Sequence, residues 1–341
     1  MSFSSLTRNN LNQDNLNQVV TDLTLTASVS QNLPASLVEQ FTNLTETTSR
    51  DLVQRMTIEP VAMTTDLDVA TALVRSSSAH VTGQPLVCLH GFDSSLLEFR
   101  RLLPALEQAL NQRQSTNIDA IGNIWLLDLL GFGFTERPIH LPISPATIKT
   151  HLYQFWRTYC PEPMVLVGAS MGGAAALDFA LTYPEAVAKL VLIDSAGLAS
   201  GSPVGKWLFP PLDRWATQFL ASAAVRRQVS LKAYLDPAFV NPDAELCAAL
   251  HLQMPRWSEG LISFTKSGGY GSYGSVLKQL AMKTLILWGR NDQILGTKDG
   301  PKFGHLISKS RLQWIEACGH VPHLERPDLT ATAIVDFWLE H

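Results

Sequence analysis

Six short aliphatic runs, at 86–89, 124–127, 164–167, 190–193, 284–287 and 312–315, punctuate the chain from residue 86 onward. None of them alternates apolar with polar residues. Near-continuous hydrophobicity over so short a stretch is what a strand shows when both its faces are covered, as in a parallel sheet packed between helices. Most spacers between the runs are long enough for a crossover helix, so the predicted class is α/β, with a mostly parallel central sheet and helices on both faces. Two earlier strands are expected at 58–63 and 69–74, with Asp66 and Asp68 in the turn between them. A helix is expected from Ser36, where Ser36 and Glu39 form a capping box. One spacer breaks the rhythm. Between Asp194 and Lys283 there are helical signals but no run that must join the sheet. The expected organisation is therefore a core of residues 35–196 and 280–341, interrupted by a helical lid over 197–279. Residues 1–34, rich in Asn, Gln, Ser and Thr, are expected to form a polar, mobile tail.

The third run leads straight into Gly168-Ala169-Ser170-Met171-Gly172, followed by small helix-forming residues. That order describes a strand, a very tight turn and a helix, with the serine at the apex and glycines where the turn has no room for side chains. A helix N-terminus then points at whatever binds above the hydroxyl. G-x-S-x-G is common, and alone it means only a serine in a βα turn. Its context decides.

Three further segments sit at strand ends, where an open α/β sheet gathers its ligand site. Strand 86–89 runs into His90-Gly91-Phe92-Asp93, and this turn places the Phe92 N–H to face a developing oxyanion, with the Met171 N–H as second donor. His90 itself is assigned no proton transfer. Strand 284–287 runs into Gly289-Arg290-Asn291-Asp292, which puts Asp292 in a loop at the sheet edge. The last run is followed by Gly319-His320, with His323 three residues on and assigned a structural place. The chain order Ser170, Asp292, His320 is that of a nucleophile, acid and base set on this kind of sheet. Asp194 is the runner-up acid, and Asp128 is read as structural. No Cys/His or carboxylate cluster suggests a metal, and no cofactor is expected.

The early lid is unusually apolar, with Trp207, Phe209 and Trp215, and further on it carries His251 and Trp257. These five are the candidate substrate contacts of the lid, beside the plainer reading that they form its own small core. The chain is 46% hydrophobic and only 16% charged, with a net charge of −4. Both signs are interspersed, which argues against nucleic acid as a partner. No apolar run is long enough to span a bilayer. Four scattered cysteines, Cys88, Cys160, Cys247 and Cys318, read as buried thiols in a reducing compartment. The first residues carry no secretory pattern, so the expected location is intracellular, either cytoplasmic or peripheral to a membrane.

From its first strands onward the chain resembles an α/β-hydrolase, on His90-Gly91-Phe92, Gly131-Phe132-Gly133, Gly168 to Gly172, Gly289 to Asp292 and Gly319-His320. The serine separates it from the haloalkane dehalogenase branch, which has aspartate there. A narrower likeness lies in His251, Pro255-Arg256-Trp257, Ser263 to Tyr270, Lys283 to Gly289 and Cys318 to His323. These stretches are similar to the chlorophyll dephytylases, as are Ala176 to Ala180 and Tyr183 to Val187. The elbow departs from that family in Ala169, Met171 and Gly173, where Pro, Leu and Ala are expected, and no chloroplast transit peptide is present, which fits a cyanobacterial protein. The resemblance implies hydrolysis of the phytyl ester of chlorophyll to chlorophyllide and phytol, with a thylakoid membrane or pigment protein as contact and His251 as a candidate axial partner of the magnesium. The alternatives are a serine hydrolase of another hydrophobic ester or of a carbon–carbon bond, and a pigment-binding protein with a vestigial triad.

Overall fold

Eight strands carry the architecture: β1 (Met56–Thr64), β2 (Leu67–Arg75), β3 (Gln84–Leu89), β4 (Ile121–Leu127), β5 (Met164–Ala169), β6 (Val187–Ile193), β7 (Lys283–Gly289) and β8 (Ser310–Ile315). They form one sheet in the order β1-β2-β4-β3-β5-β6-β7-β8. The pairs β1/β2 and β2/β4 are antiparallel, and every later pair is parallel. A computed structural model describes residues 23–76, 83–113, 121–199 and 210–340.

The unbroken apolar runs have a direct cause. Along β5, Val165, Val167 and Ala169 join one hydrophobic layer, whereas Met164 and Leu166 join the other. Successive side chains of a strand point to opposite faces, so a sheet covered twice needs apolar residues at every position. The first layer is completed by α1 (Ala27–Asn32), α2 (Ala35–Gln40), α3 (Thr47–Arg55) and α4 (Leu102–Gln112). The second is completed by α5 (Pro145–Tyr159) and α6 (Met171–Thr182). The segment between β6 and β7 supplies α7 (Leu212–Ala221), α8 (Ala223–Ala233), α9 (Pro242–Ala249) and α10 (Trp257–Ser267). The chain closes with α11 (Asp299–Leu306), α12 (Pro322–Glu325) and α13 (Pro327–Leu339). Among the described residues no helix is long and apolar enough to cross a membrane.

Two expectations at the start of the chain are corrected. The polar tail was placed over 1–34, but residues 23–34 are packed onto the core, while residues 1–22 lie outside the described residues. Thr26 caps α1, accepting from the Val29 N–H, and its hydroxyl donates to the Met56 carbonyl at 2.8 Å. Ser28 accepts from the Ile58 N–H at 3.1 Å, and Val29 and Leu33 are buried. These short polar residues satisfy the free edge of β1, which would otherwise invite another strand. The capping box at Ser36 does not form either. Pro34 stands at the cap position, so the helix starts at Ala35 and leaves Ser36 inside it, with no side-chain cap.

Candidate active site

The carboxyl ends of the parallel strands lie side by side, Leu89 beside Gly168 and Gly168 beside Leu192. Ser170 follows β5 at that edge with φ 50° and ψ −117°, a conformation an L-residue holds only under strain. The two flanking glycines explain how the turn closes. A Cβ on Gly168 would stand 2.3 Å from the Gly172 carbonyl oxygen, and one on Gly172 would stand 2.1 Å from that of Leu89. The Ser170 N–H donates to Ile193 at 2.9 Å and its carbonyl accepts from Ala196 at 2.9 Å, so the strained residue is held by the next strand. Met171 opens α6, where an amide has no acceptor inside its own helix.

His320 Nε2 is 3.0 Å from Ser170 Oγ, and His320 Nδ1 is 3.0 Å from Asp292 Oδ2. The other Asp292 oxygen accepts from the Ile294 and Leu295 N–H groups at 2.7 and 3.1 Å. Burial acts to raise the Asp292 pKa, but the His320 hydrogen bond and these amides outweigh it and hold the carboxyl below its ordinary value. An ionised Asp292 fixes the proton on His320 Nδ1 and leaves Nε2 as the acceptor for the serine hydroxyl. Asp194 is fully buried beside Asp292, accepting from the Gly289 N–H at 3.0 Å. Burial first, and then the Asp292 charge, push its pKa well up. The neighbouring carboxyls are thus pushed in opposite directions, the one on the histidine towards its ionised form and the one behind it towards its protonated form. Among the described residues, Asp194, Asp292 and His320 are the one group with ligand atoms close enough for a metal, all within 4.8 Å. Their atoms are already committed to one another and to amides.

The turn after β3 is held from below. Gly91 donates its N–H to Glu98 Oε2 at 2.9 Å, and Glu98 Oε1 lies 2.9 Å from His323 Nε2. Burial acts to raise the Glu98 pKa, but His323, His90 and the Gly91 amide together bring it down to about 2. His90 accepts from the Leu129 N–H at 3.2 Å on Nε2, and its Nδ1 is 2.8 Å from the Gly91 carbonyl. Burial lowers its pKa to about 4, so it is neutral with the proton on Nδ1. Asp128, read as structural, accepts from the Phe134 N–H at 2.6 Å.

A cavity of about 320 Å³ opens above the serine, lined by Phe92, Ser170 and His320 and walled by Leu220, Val229 and Leu324. The expected substrate contacts of the insertion fare differently. Trp207 and Phe209 lie outside the described residues. Trp215 does not line the cavity but faces outward on α7, 62% exposed. His251 and Trp257 are buried and do not line it either. Both ring N–H groups turn to Asp93 Oδ1, Trp257 Nε1 at 2.8 Å and His251 Nε2 at 3.2 Å. His251 Nε2 is thus turned to a carboxylate, while Nδ1, which has no hydrogen-bond partner among the described residues, is buried away from the cavity and so does not face a ligand held there. Burial lowers its pKa, so it meets Asp93 as a neutral ring.

Sequence reasoning missed Glu98 and Glu325 and gave Asp93 no part. Glu325 accepts from the Gly319 N–H at 2.7 Å and from the Leu235 and Asp236 N–H groups at 3.0 and 2.9 Å, tying the His320 loop to the insertion. Asp93 stood in the quoted turn, but its partners lie more than a hundred residues on.

Comparison with known proteins agrees with this architecture. The sequence profile of the alpha/beta hydrolase fold matches residues 84–327. The chain is 33% identical over 308 residues to the alpha/beta hydrolase domain-containing protein VTE7 of Arabidopsis thaliana, covering 89% of this chain and 90% of that one. It is 25% identical over 269 residues to 2-hydroxymuconate semialdehyde hydrolase of Pseudomonas sp. (strain CF600), covering 76% and 88%. Among solved structures, a meta-cleavage product hydrolase from Pseudomonas fluorescens IP01 superposes with a TM-score of 0.63 at 23% identity, covering 82% of this chain and 97% of that one.

Proposed function

This chain belongs to the alpha/beta hydrolase family, and from that premise we propose that it is a serine esterase of hydrophobic esters, with the phytyl ester of chlorophyll as its substrate. The observation that carries the ester chemistry is the unbroken path from Ser170 Oγ through His320 to Asp292, 3.0 Å at each step. His320 takes the hydroxyl proton as Ser170 Oγ attacks the ester carbonyl. The Phe92 and Met171 N–H groups receive the developing oxyanion. As the C–O bond breaks, His320 passes that proton to the departing alcohol and leaves an acyl-serine. Water then gives its proton to His320, attacks the acyl carbon, and Ser170 recovers its hydrogen as the acid departs.

The hydrophobic substrate is supported by the aliphatic wall of the cavity and by its size. At about 320 Å³ it lies at the small end of the range for drug-sized ligands, so one arm of such an ester enters and the other stays outside. Leu212, Trp215 and Phe219 project from one face of α7 beside the cavity wall, 42%, 62% and 65% exposed. That face suits the outer arm and contact with a pigment-laden membrane such as the thylakoid. The chlorophyll assignment rests on the dephytylase-like stretches of the sequence, above all Ser263 to Tyr270. Incubation with chlorophyll a should release chlorophyllide and phytol, and Ser170→Ala should abolish the release. No chlorophyllide from the wild-type protein overturns the substrate, and full activity in Ser170→Ala overturns the mechanism.

A second reading, hydrolysis of a carbon–carbon bond flanked by carbonyls, is favoured by the likeness to 2-hydroxymuconate semialdehyde hydrolase. The same triad serves both chemistries. A panel of p-nitrophenyl esters of rising chain length, run beside a vinylogous diketone, separates the two.

A further inference from the structure

The turn that carries the Phe92 N–H is fastened at each of its three residues. Gly91 is held by Glu98 from the core, as described, but the other two are held by the insertion. The Phe92 ring, 45% exposed, packs on Phe264 of α10, with centroids 6.2 Å apart. Asp93, at φ 48°, sends its carboxylate up into the insertion. There Arg226 of α8 donates to Oδ2 at 2.8 Å, while His251, after α9, and Trp257, at the start of α10, donate to Oδ1. Arg226 also donates to the Asp93 carbonyl at 3.2 Å and to the Ala248 carbonyl, so one guanidinium bridges the turn and the end of α9. Donors from three successive parts of the insertion thus converge on one carboxylate. The residue next to it presents the amide on which the oxyanion depends.

We propose that Asp93 is a positioning residue: it fastens the oxyanion turn to the insertion, so the Phe92 N–H is aimed at the reacting carbonyl only while the insertion is seated. The inference rests on the esterase reading above and adds a dependence to it. With His251, Trp257 and Arg226 engaged, Asp93 has a donor for each oxygen and no reason to leave. Without the carboxylate, the buried His251 and Trp257 lose their acceptor and Arg226 keeps only the Asp93 and Ala248 carbonyls, so the tie between the turn and the insertion is weakened.

The test uses the full chain and p-nitrophenyl butyrate, with reactive serines counted by a fluorophosphonate carried to completion. In Asp93→Ala the kcat per titrated serine should fall about a hundredfold while KM stays within about threefold, the signature of a lost oxyanion donor. Arg226→Ala should fall in the same direction, and the double variant should lose clearly less than the product of the two single losses, because both act largely through one link. Arg227→Ala, which breaks an exposed pair with Glu245, should leave kcat unchanged. A drop in the number of titratable serines with kcat per serine intact, or losses that multiply in the double variant, overturns the proposal. If Asp93→Ala does not fold, full kcat per serine in both Arg226→Ala and Trp257→Phe overturns it instead. A wild-type protein that neither labels nor turns over any ester removes the esterase reading, and this inference with it. An active wild type with an indifferent Asp93 removes the inference alone.

Discussion

The sheet edge and the insertion share one cavity, yet they hold their residues in opposite ways. At the sheet edge, the turns that carry Ser170 and Asp292 are each locked by backbone hydrogen bonds to the neighbouring strand. The Ser170 N–H goes to Ile193, that of Asp194 to Leu287 and that of Arg290 to Ile315. Among its described residues, the insertion has no such ladder. Its contact with the site runs through carboxylates on other elements: Asp93 to α8 and α10, and Glu325 to the chain after α8. A third tie is the His320 N–H itself, which donates to the Ala233 carbonyl at 2.6 Å. The serine and its acid thus sit on turns fixed to the sheet, whereas the insertion is tethered by a few polar links, which are easier to release than strand pairing.

Three measurements sharpen or break this contrast. The largest effect belongs to the sheet edge. Asp292→Asn should lower kcat about 10⁴-fold with the fold intact, because the amide presents the wrong group to His320 and the tautomer is lost. Retention of a tenth of the activity would mean that Asp194 takes over as the acid behind His320, and the division of roles between the two carboxyls would be wrong. The second effect is in pH. Glu98 ionises at about 2 in the folded protein against 4.5 unfolded, so its stabilisation is complete above about pH 4.5 and is lost as pH falls towards 2. Urea denaturation should show a wild-type stability falling across that window, and Glu98→Gln should flatten the fall. An unchanged slope would sever Glu98 from the support of the turn.

The smallest effect belongs to the outer face of the insertion. Trp215→Gln together with Phe219→Gln should change stability by no more than about 0.5 kcal/mol, as exposed positions do. Hydrolysis of a short p-nitrophenyl ester should hold steady while binding to lipid vesicles weakens. A fall in short-ester turnover would place these residues in the chemistry of the cavity and erase the distinction.

The same contrast governs how much was legible in the amino acids. Near-continuous apolar runs marked six strands, most plainly the inner ones, where burial on both faces leaves little choice of residue. The elbow was legible in Gly168 and Gly172, since a tight turn excludes any Cβ. Ser170, Asp292 and His320 were legible because each stands in the turn that leaves a strand, and the structure sets His320 3.0 Å from each of the other two. Trp215, His251 and Trp257 carried no such marker. An aromatic or histidine on a helix shows that a face exists, but not what the face meets. Asp93, Glu98 and Glu325 were silent for the same reason, as isolated carboxylates in polar turns.

The sequence by itself therefore determined the sheet, its two covered faces and the order of the residues at its edge, since those follow from strand periodicity and from turns a few residues long. Only the tertiary structure decided that His251 and Trp257 serve Asp93 rather than substrate, that Asp194 backs Asp292, and that residues 23–34 cap the edge of β1. Those pairings join groups far apart in the chain, and their energies depend on which buried charge meets which donor. No local pattern encodes such a meeting; it exists once the core has brought the segments together.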